Sequence, residues 1–130
     1  ALVFEVLSCN VILKPLVARP RPFTSDPARI LLIPRPEDYS FPSGHTAVSF
    51  AAASAAWFMK KRKTGVAFGA AACLIAFSRL YLYVHYPTDV LAGVVIGILC
   101  GAAASKLTEM AAAAREARRD SGPEIPVGKL

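Results

Sequence analysis

The apolar residues of this chain are segregated into four blocks, roughly Ala1 to Leu13, Ala47 to Met59, Gly65 to Val84 and Val90 to Ala104, and the segments between them carry nearly all the charge and proline. Such blocks predict helices that cross a bilayer. With 55% apolar and only 18% charged residues, the 130-residue chain is one domain, too apolar for an ordinary soluble one. A span needs about 20 apolar residues, fewer where flanking side chains snorkel. The third block meets that length, the second and fourth are workable, and the first is too short as it stands. The first block begins without Met or a charged flank and has neither the basic region nor the small-residue cleavage site of a signal peptide. Residues 1 to 13 are therefore expected to be the tail of a longer helix, and the chain an N-terminally truncated fragment.

The net charge of +6 raises nucleic acid as a partner, and Lys60-Lys61-Arg62-Lys63 alone resembles a localisation patch. Its place in a short connection between two apolar blocks favours the positive-inside rule, with no nucleic acid involved. A cytoplasmic 60–63 loop puts Lys14 to Phe41 and Leu80 to Asp89 together on the opposite, extracytoplasmic side. That outer segment holds Lys14, Arg19, Arg21, Arg29 and Arg35, an excess of base on the wrong side that is expected to form an anion site.

Trp57 and Phe58 mark one water boundary and Tyr39, Phe41, Tyr81, Tyr83 and Tyr86 the other, as interface anchors. Cys9, Cys73 and Cys100 lie inside apolar blocks without metal or disulfide spacing and are expected to pack. Asp89, Gly93, Gly97 and Gly101 recur every four residues, so one face of the last helix admits a neighbouring backbone. Packing accounts for the glycines; a carboxylate on the same face is costly unless paired, which makes Asp89 a functional candidate. His45, Ser49, Ala52 and Ala56 stripe the second helix in the same way. Residues 105–130 read as a basic cytoplasmic tail near anionic headgroups, with Arg115, Arg118 and Arg119 on a helix that Gly122-Pro123 ends.

This topology gathers Lys14 with Arg21-Pro22, Pro42-Ser43-Gly44-His45, and Ser78-Arg79 with His85 and Asp89 at one membrane surface. Ser43 is a natural N-cap and Gly44 allows close approach, so free N–H groups at a positive helix end can face an anion; a generic helix start has the same pattern. Asp89 follows His85 by four residues, with Pro87 where a helix begins, so the carboxylate can reach back to the imidazole. That contact fixes the tautomer and leaves the other ring nitrogen free to attack; an interfacial histidine satisfied by a carboxylate looks identical. The balance moves because the chain's only two histidines fall at the same surface as three cations.

Lys14, six residues, Arg21-Pro22; Pro42-Ser43-Gly44-His45; and Ser78-Arg79, five residues, His85, three residues, Asp89 together resemble the three-part signature of the type 2 phosphatidic acid phosphatase family. The resemblance covers Lys14 to Ala104, without departure at any signature position. It implies an all-α polytopic transmembrane helix bundle, of which this chain resembles helices three to six of six. It also implies that Lys14, Arg21, Arg79, Ser43 and the Gly44 N–H hold phosphate oxygens. By the same resemblance His85 attacks phosphorus to give a phosphohistidine, Asp89 orients it, and His45 protonates the leaving oxygen. Arginine forks suit charge on equatorial phosphoryl oxygens, so these roles are also physically apt. Neither metal nor cofactor is required, because cations take the part of magnesium and no carboxylate cluster is evident.

The implied partner is a lipid phosphate at headgroup depth, in an integral protein of a bacterial plasma membrane. The linker Arg19-Pro20-Arg21-Pro22-Phe23 through Leu31-Leu32-Ile33-Pro34 and Asp38-Tyr39-Ser40-Phe41 resembles bacterial members and favours undecaprenyl diphosphate. Phosphatidate and phosphatidylglycerophosphate are the alternatives. A transporter or non-catalytic lipid-phosphate binder has the same cations but no need of His85 with Asp89. Oligomeric state is not written in the sequence.

Overall fold

The computed structural model describes residues 12–26, 28 and 30–120. Most of the first apolar block, Cys9, Arg29 and the Gly122-Pro123 stop lie outside them. After a helical turn at Lys14–Val17 and a 3-10 turn at Pro22–Ser25, three helices follow: α1 (Gly44–Phe58), α2 (Arg62–Tyr81) and α3 (Pro87–Asp120). No strand occurs among the described residues. At a rise of 1.5 Å per residue, α1, α2 and α3 are about 22, 30 and 51 Å long. Helices α2 and α3 are long and apolar enough to cross a membrane; α1 is shorter. The architecture is the all-α bundle expected.

Helix α1 packs along both neighbours, while α2 and α3 barely touch. The tightest seam is the glycine stripe. A Cβ on Gly93 would lie 2.7 Å from the Ser43 carbonyl oxygen, one on Gly97 2.5 Å from that of Ala47, and one on Gly101 2.7 Å from that of Ala51. Only hydrogen fits there, so the two backbones meet without intervening side chains. The buried helix positions are small, including Ala47, Ala51, Ala53, Ala72 and Ala76, whereas Phe68, Leu74, Phe77, Leu91, Val95 and Leu99 point outward. Large apolar groups outside and small ones inside reverse the soluble pattern and suit helices that meet lipid. Cys73 belongs to the outward set and Cys100 is half-buried; neither forms a disulfide among the described residues. The packing role expected of the cysteines therefore does not hold for Cys73 within the described residues.

The connections explain which ends meet. Lys60 adopts φ 62° in the tight α1–α2 turn, and the Arg62 guanidinium lies over the Trp57 ring, 4.2 Å from its centroid. Helix α2 stops at Tyr81, three residues before the apolar block ends. There Tyr83 is left-handed (φ 58°), its N–H bonds the Leu80 carbonyl, and the Val84 N–H bonds that of Arg79. This is a Schellman closure with tyrosine in the position that glycine usually takes. It turns the chain so that Val84 is buried and His85 follows it inward. Pro87 then opens α3 at the predicted place, since its missing N–H is needed least in a first turn. The start of α1, the end of α2 and the start of α3 consequently share one end of the bundle, opposite the Lys60–Lys63 run.

Candidate active site

Asp89 is fully buried and densely satisfied. Its Oδ2 accepts the Tyr86 N–H at 2.9 Å and the Ser40 hydroxyl, and its Oδ1 accepts Arg19 Nη1 at 2.7 Å. Arg19 also donates to Thr88 Oγ1 at 2.6 Å and lies 4.0 Å from the Tyr86 ring centroid. The Ser40 N–H bonds the Arg19 carbonyl, which ties the linker to the first segment behind the carboxylate. His85 Nδ1 faces Asp89 Oδ2 at 3.7 Å, and this buried nitrogen has no hydrogen-bond partner.

The other imidazole nitrogen, Nε2, lies 3.4 Å from Arg21 Nη1. Arg21 is buried and held in place: Nη1 donates to the Val84 carbonyl at 2.9 Å and Nε to the Asp38 carbonyl at 2.8 Å. Its Nη2 reaches Asp38 Oδ1 at 2.5 Å, while Lys14 Nζ binds Asp38 Oδ2. Arg79 donates through Nε to Ser78 Oγ at 3.2 Å. Lys14, Arg21, Gly44, His45, Arg79 and His85 all line one cavity of about 690 Å³, whose remaining walls include Ile33, Val48, Ile75 and Val84. Charge and apolar surface thus meet in one space at the end of the bundle.

Of the residues singled out from sequence, Ser43 and Asp89 do not line this cavity. Asp89 stands behind His85, where an orienting group belongs. Ser43 occupies the N-cap position of α1, but its side chain caps no backbone N–H. It is fully buried, its hydroxyl pairs with Thr46 Oγ1 at 2.9 Å, and its N–H donates to the Asp89 carbonyl at 3.1 Å. The reason is the Gly93 seam, which brings α3 against this residue. Phosphate contact from Ser43 needs a turned hydroxyl; its observed part is to lock α1 onto α3. Two participants were missed in the sequence: Ser40 and Asp38. Arg19 was expected among the bases of the anion site; it instead pairs with the buried Asp89 and does not line the cavity.

Burial above all, and then the Arg21 guanidinium, push the His85 imidazole down from 6.5 to about 4, against the opposing pull of Asp89 and the Ser40 backbone. His85 is therefore neutral at neutral pH, the state that a nucleophile requires. The folded pKa lies below the unfolded one, so between 6.5 and about 4 the unfolded chain holds a proton that the folded chain lacks. The resulting stabilisation is complete above that window and is lost as pH falls through it. With two histidines in the chain, an imidazole NMR titration in detergent, assigned with His45→Ala, should give His85 a midpoint near 4. A midpoint at the ordinary histidine value would remove the electrostatic picture of the site.

The helical bundle gathers two histidines and three cations around one partly apolar cavity, with the buried carboxylate of Asp89 behind His85, and two of its helices are long and apolar enough to cross a membrane. The profile of the PAP2 superfamily matches residues 1–112, and the chain belongs to that superfamily. It is 36% identical to an undecaprenyl-diphosphatase of Sulfolobus acidocaldarius over 65% of this chain and 41% of that protein. It is 39% identical to the undecaprenyl-diphosphatase BcrC of Bacillus subtilis over 73% of this chain and 48% of that one. The crystal structure of a transmembrane PAP2 type phosphatidylglycerolphosphate phosphatase from Bacillus subtilis superposes with a TM-score of 0.70 at 29% identity, covering 84% of this chain and 56% of that one. The chain spans about half the length of the curated relatives it matches.

Proposed function

We propose that the protein is a metal-independent lipid phosphate or diphosphate phosphatase that works through a phosphohistidine, with undecaprenyl diphosphate as the favoured substrate. The observation that carries this reading is the cavity in which a neutral, Asp89-backed His85 meets Lys14, Arg21, Arg79 and His45 beside an apolar wall. The cations take the non-bridging oxygens of the terminal phosphate, with the Gly44 N–H at the start of α1. Once a phosphate oxygen takes over the Arg21 N–H, the Nε2 lone pair is free to attack phosphorus. The bond from phosphorus to the lipid oxygen breaks as His45 donates a proton to that oxygen. Water then attacks the phosphohistidine, His45 takes a proton back, and inorganic phosphate leaves with His85 restored. A phosphate bound in the cavity brings its negative charge beside His45, which lines the same space, and so favours the acid form.

The apolar residues Ile33, Val48 and Ile75 give a route for acyl or prenyl chains to stay in lipid. The Lys60–Lys63 run and the basic end of α3, opposite the site, support an extracytoplasmic active site by the positive-inside rule. Phosphatidylglycerophosphate is the second reading, supported by the named activity of the superposed structure. Phosphate release from undecaprenyl diphosphate, phosphatidylglycerophosphate and phosphatidate, measured in detergent with EDTA present, ranks the substrates. Turnover that needs added divalent metal, or none from folded protein that binds all three lipids, rejects this reading in favour of a metal-assisted enzyme or a lipid-phosphate binder.

A further inference from the structure

The three cations of the cavity are not equally available. Asp38 lies across two of them: one carboxylate oxygen takes Arg21 Nη2 and the other takes Lys14 Nζ. Among the described residues no carboxylate stands within ion-pair distance of Arg79. Asp38 itself lines the cavity. Burial alone would raise its pKa, but the hydrogen bonds from Lys14 and Arg21 outweigh that and hold it below the ordinary carboxylate value, so it stays charged. Its side chain is nonetheless 51% exposed, while the Arg21 side chain it meets is 6% exposed. Arg21 keeps its bonds to the Val84 and Asp38 carbonyls whatever the carboxylate does. The arrangement is a fixed fork and a movable anion.

A carboxylate that spans two cations presents oxygens where a phosphate must present its own. We propose that Asp38 is an internal counter-anion of the site, holding Lys14 and Arg21 between turnovers and competing with phosphate for them. The inference rests on the cavity being the phosphate cradle. Its consequence is kinetic. Three cations and an N-terminal helix turn bind inorganic phosphate as well as they bind the substrate's terminal phosphate, so release of product is retarded. Asp38 swinging back as phosphate departs replaces one anion by another and never leaves the cations bare. It raises the dissociation constants of substrate and product together, and so keeps the enzyme from being trapped by its own product.

The test is inhibition of lipid dephosphorylation by inorganic phosphate in the parent and in Asp38→Asn, Asp38→Glu, Lys14→Ala and Arg21→Ala. Loss of the competing charge should tighten the inhibition constant of Asp38→Asn about three- to fivefold, the worth of roughly one partly screened ion pair. Asp38→Glu should return it towards the parent value, which a merely structural role for the residue does not require. An unchanged or weaker phosphate constant in Asp38→Asn, with weakening in Lys14→Ala and Arg21→Ala, would show that Asp38 only braces the cations; the proposal falls and the cradle stands. Indifference of phosphate inhibition to Lys14→Ala and Arg21→Ala as well would remove the cradle, and the proposal with it. Asp38→Asn keeps the size of a half-exposed side chain, and its thermal unfolding in detergent checks that the fold is intact.

Discussion

His85→Ala should lower kcat by about 10⁴-fold or more, the scale on which a covalent nucleophile acts, while lipid-phosphate binding stays within a few fold of the parent. Binding survives because the cations are anchored without His85. Arg21 retains the Val84 and Asp38 carbonyls, and Lys14 and Arg79 have no contact with the imidazole among their hydrogen bonds. The loss therefore falls on the rate and spares the affinity. His45→Ala should behave differently, since an acid at the leaving oxygen contributes about 10²–10⁴-fold and its removal leaves the attacking nitrogen in place. Brief mixing with substrate labelled at the terminal phosphate should then give an acid-labile protein phosphate in His45→Ala and none in His85→Ala. Equal kcat in the parent and His85→Ala would end the covalent mechanism through His85 and leave turnover to be carried by another group.

The seams and boundaries of the bundle were legible where one residue type has one physical use. The Asp89-Gly93-Gly97-Gly101 spacing predicted a close backbone approach, and the stripe meets the carbonyls of Ser43, Ala47 and Ala51. Pro87 marked the start of α3 because proline is well tolerated in a first turn. The end of α2 was misjudged because apolar content continues through Val84 while the helix does not; a left-handed tyrosine leaves no compositional trace. Lys14, Arg21, His45, Arg79 and His85 were placed together by topology, and they share a cavity. What escaped were the groups that hold those residues. Arg19 and Asp38 were visible as charges, but pairing Arg19 with Asp89 spans 70 positions and pairing Asp38 with Arg21 crosses an irregular, proline-rich linker. No periodicity reports such contacts. Ser43 shows the converse: its pattern was right for a cap, yet burial against α3 turned its hydroxyl to Thr46.

The ion pair behind the nucleophile carries the second large expectation. Asp89→Ala leaves the Tyr86 N–H, the Ser40 hydroxyl and the Arg19 guanidinium without their common acceptor. Each buried donor left without an acceptor costs about 1–3 kcal/mol, so thermal stability in detergent should drop. Asp89→Asn keeps the volume and one acceptor oxygen, so it should fold; its amide cannot stabilise an imidazolium-like His85 as phosphorus is transferred. Its kcat should fall about 10²–10⁴-fold with little change in KM. Arg19→Ala tests whether the carboxylate needs its outer partner. Arg19 neither lines the cavity nor bonds His85, so a fall in kcat there acts through its partners Asp89, Thr88 and Tyr86. Because Arg19 is one-third exposed, its removal should cost less stability than that of Asp89. A double-mutant cycle between Arg19→Ala and Asp89→Asn, read in ln kcat, should show coupling of about 0.5–3 kcal/mol. Strict additivity would mean that Arg19 only fastens the linker, and that Asp89 holds His85 through Tyr86 and Ser40 without it.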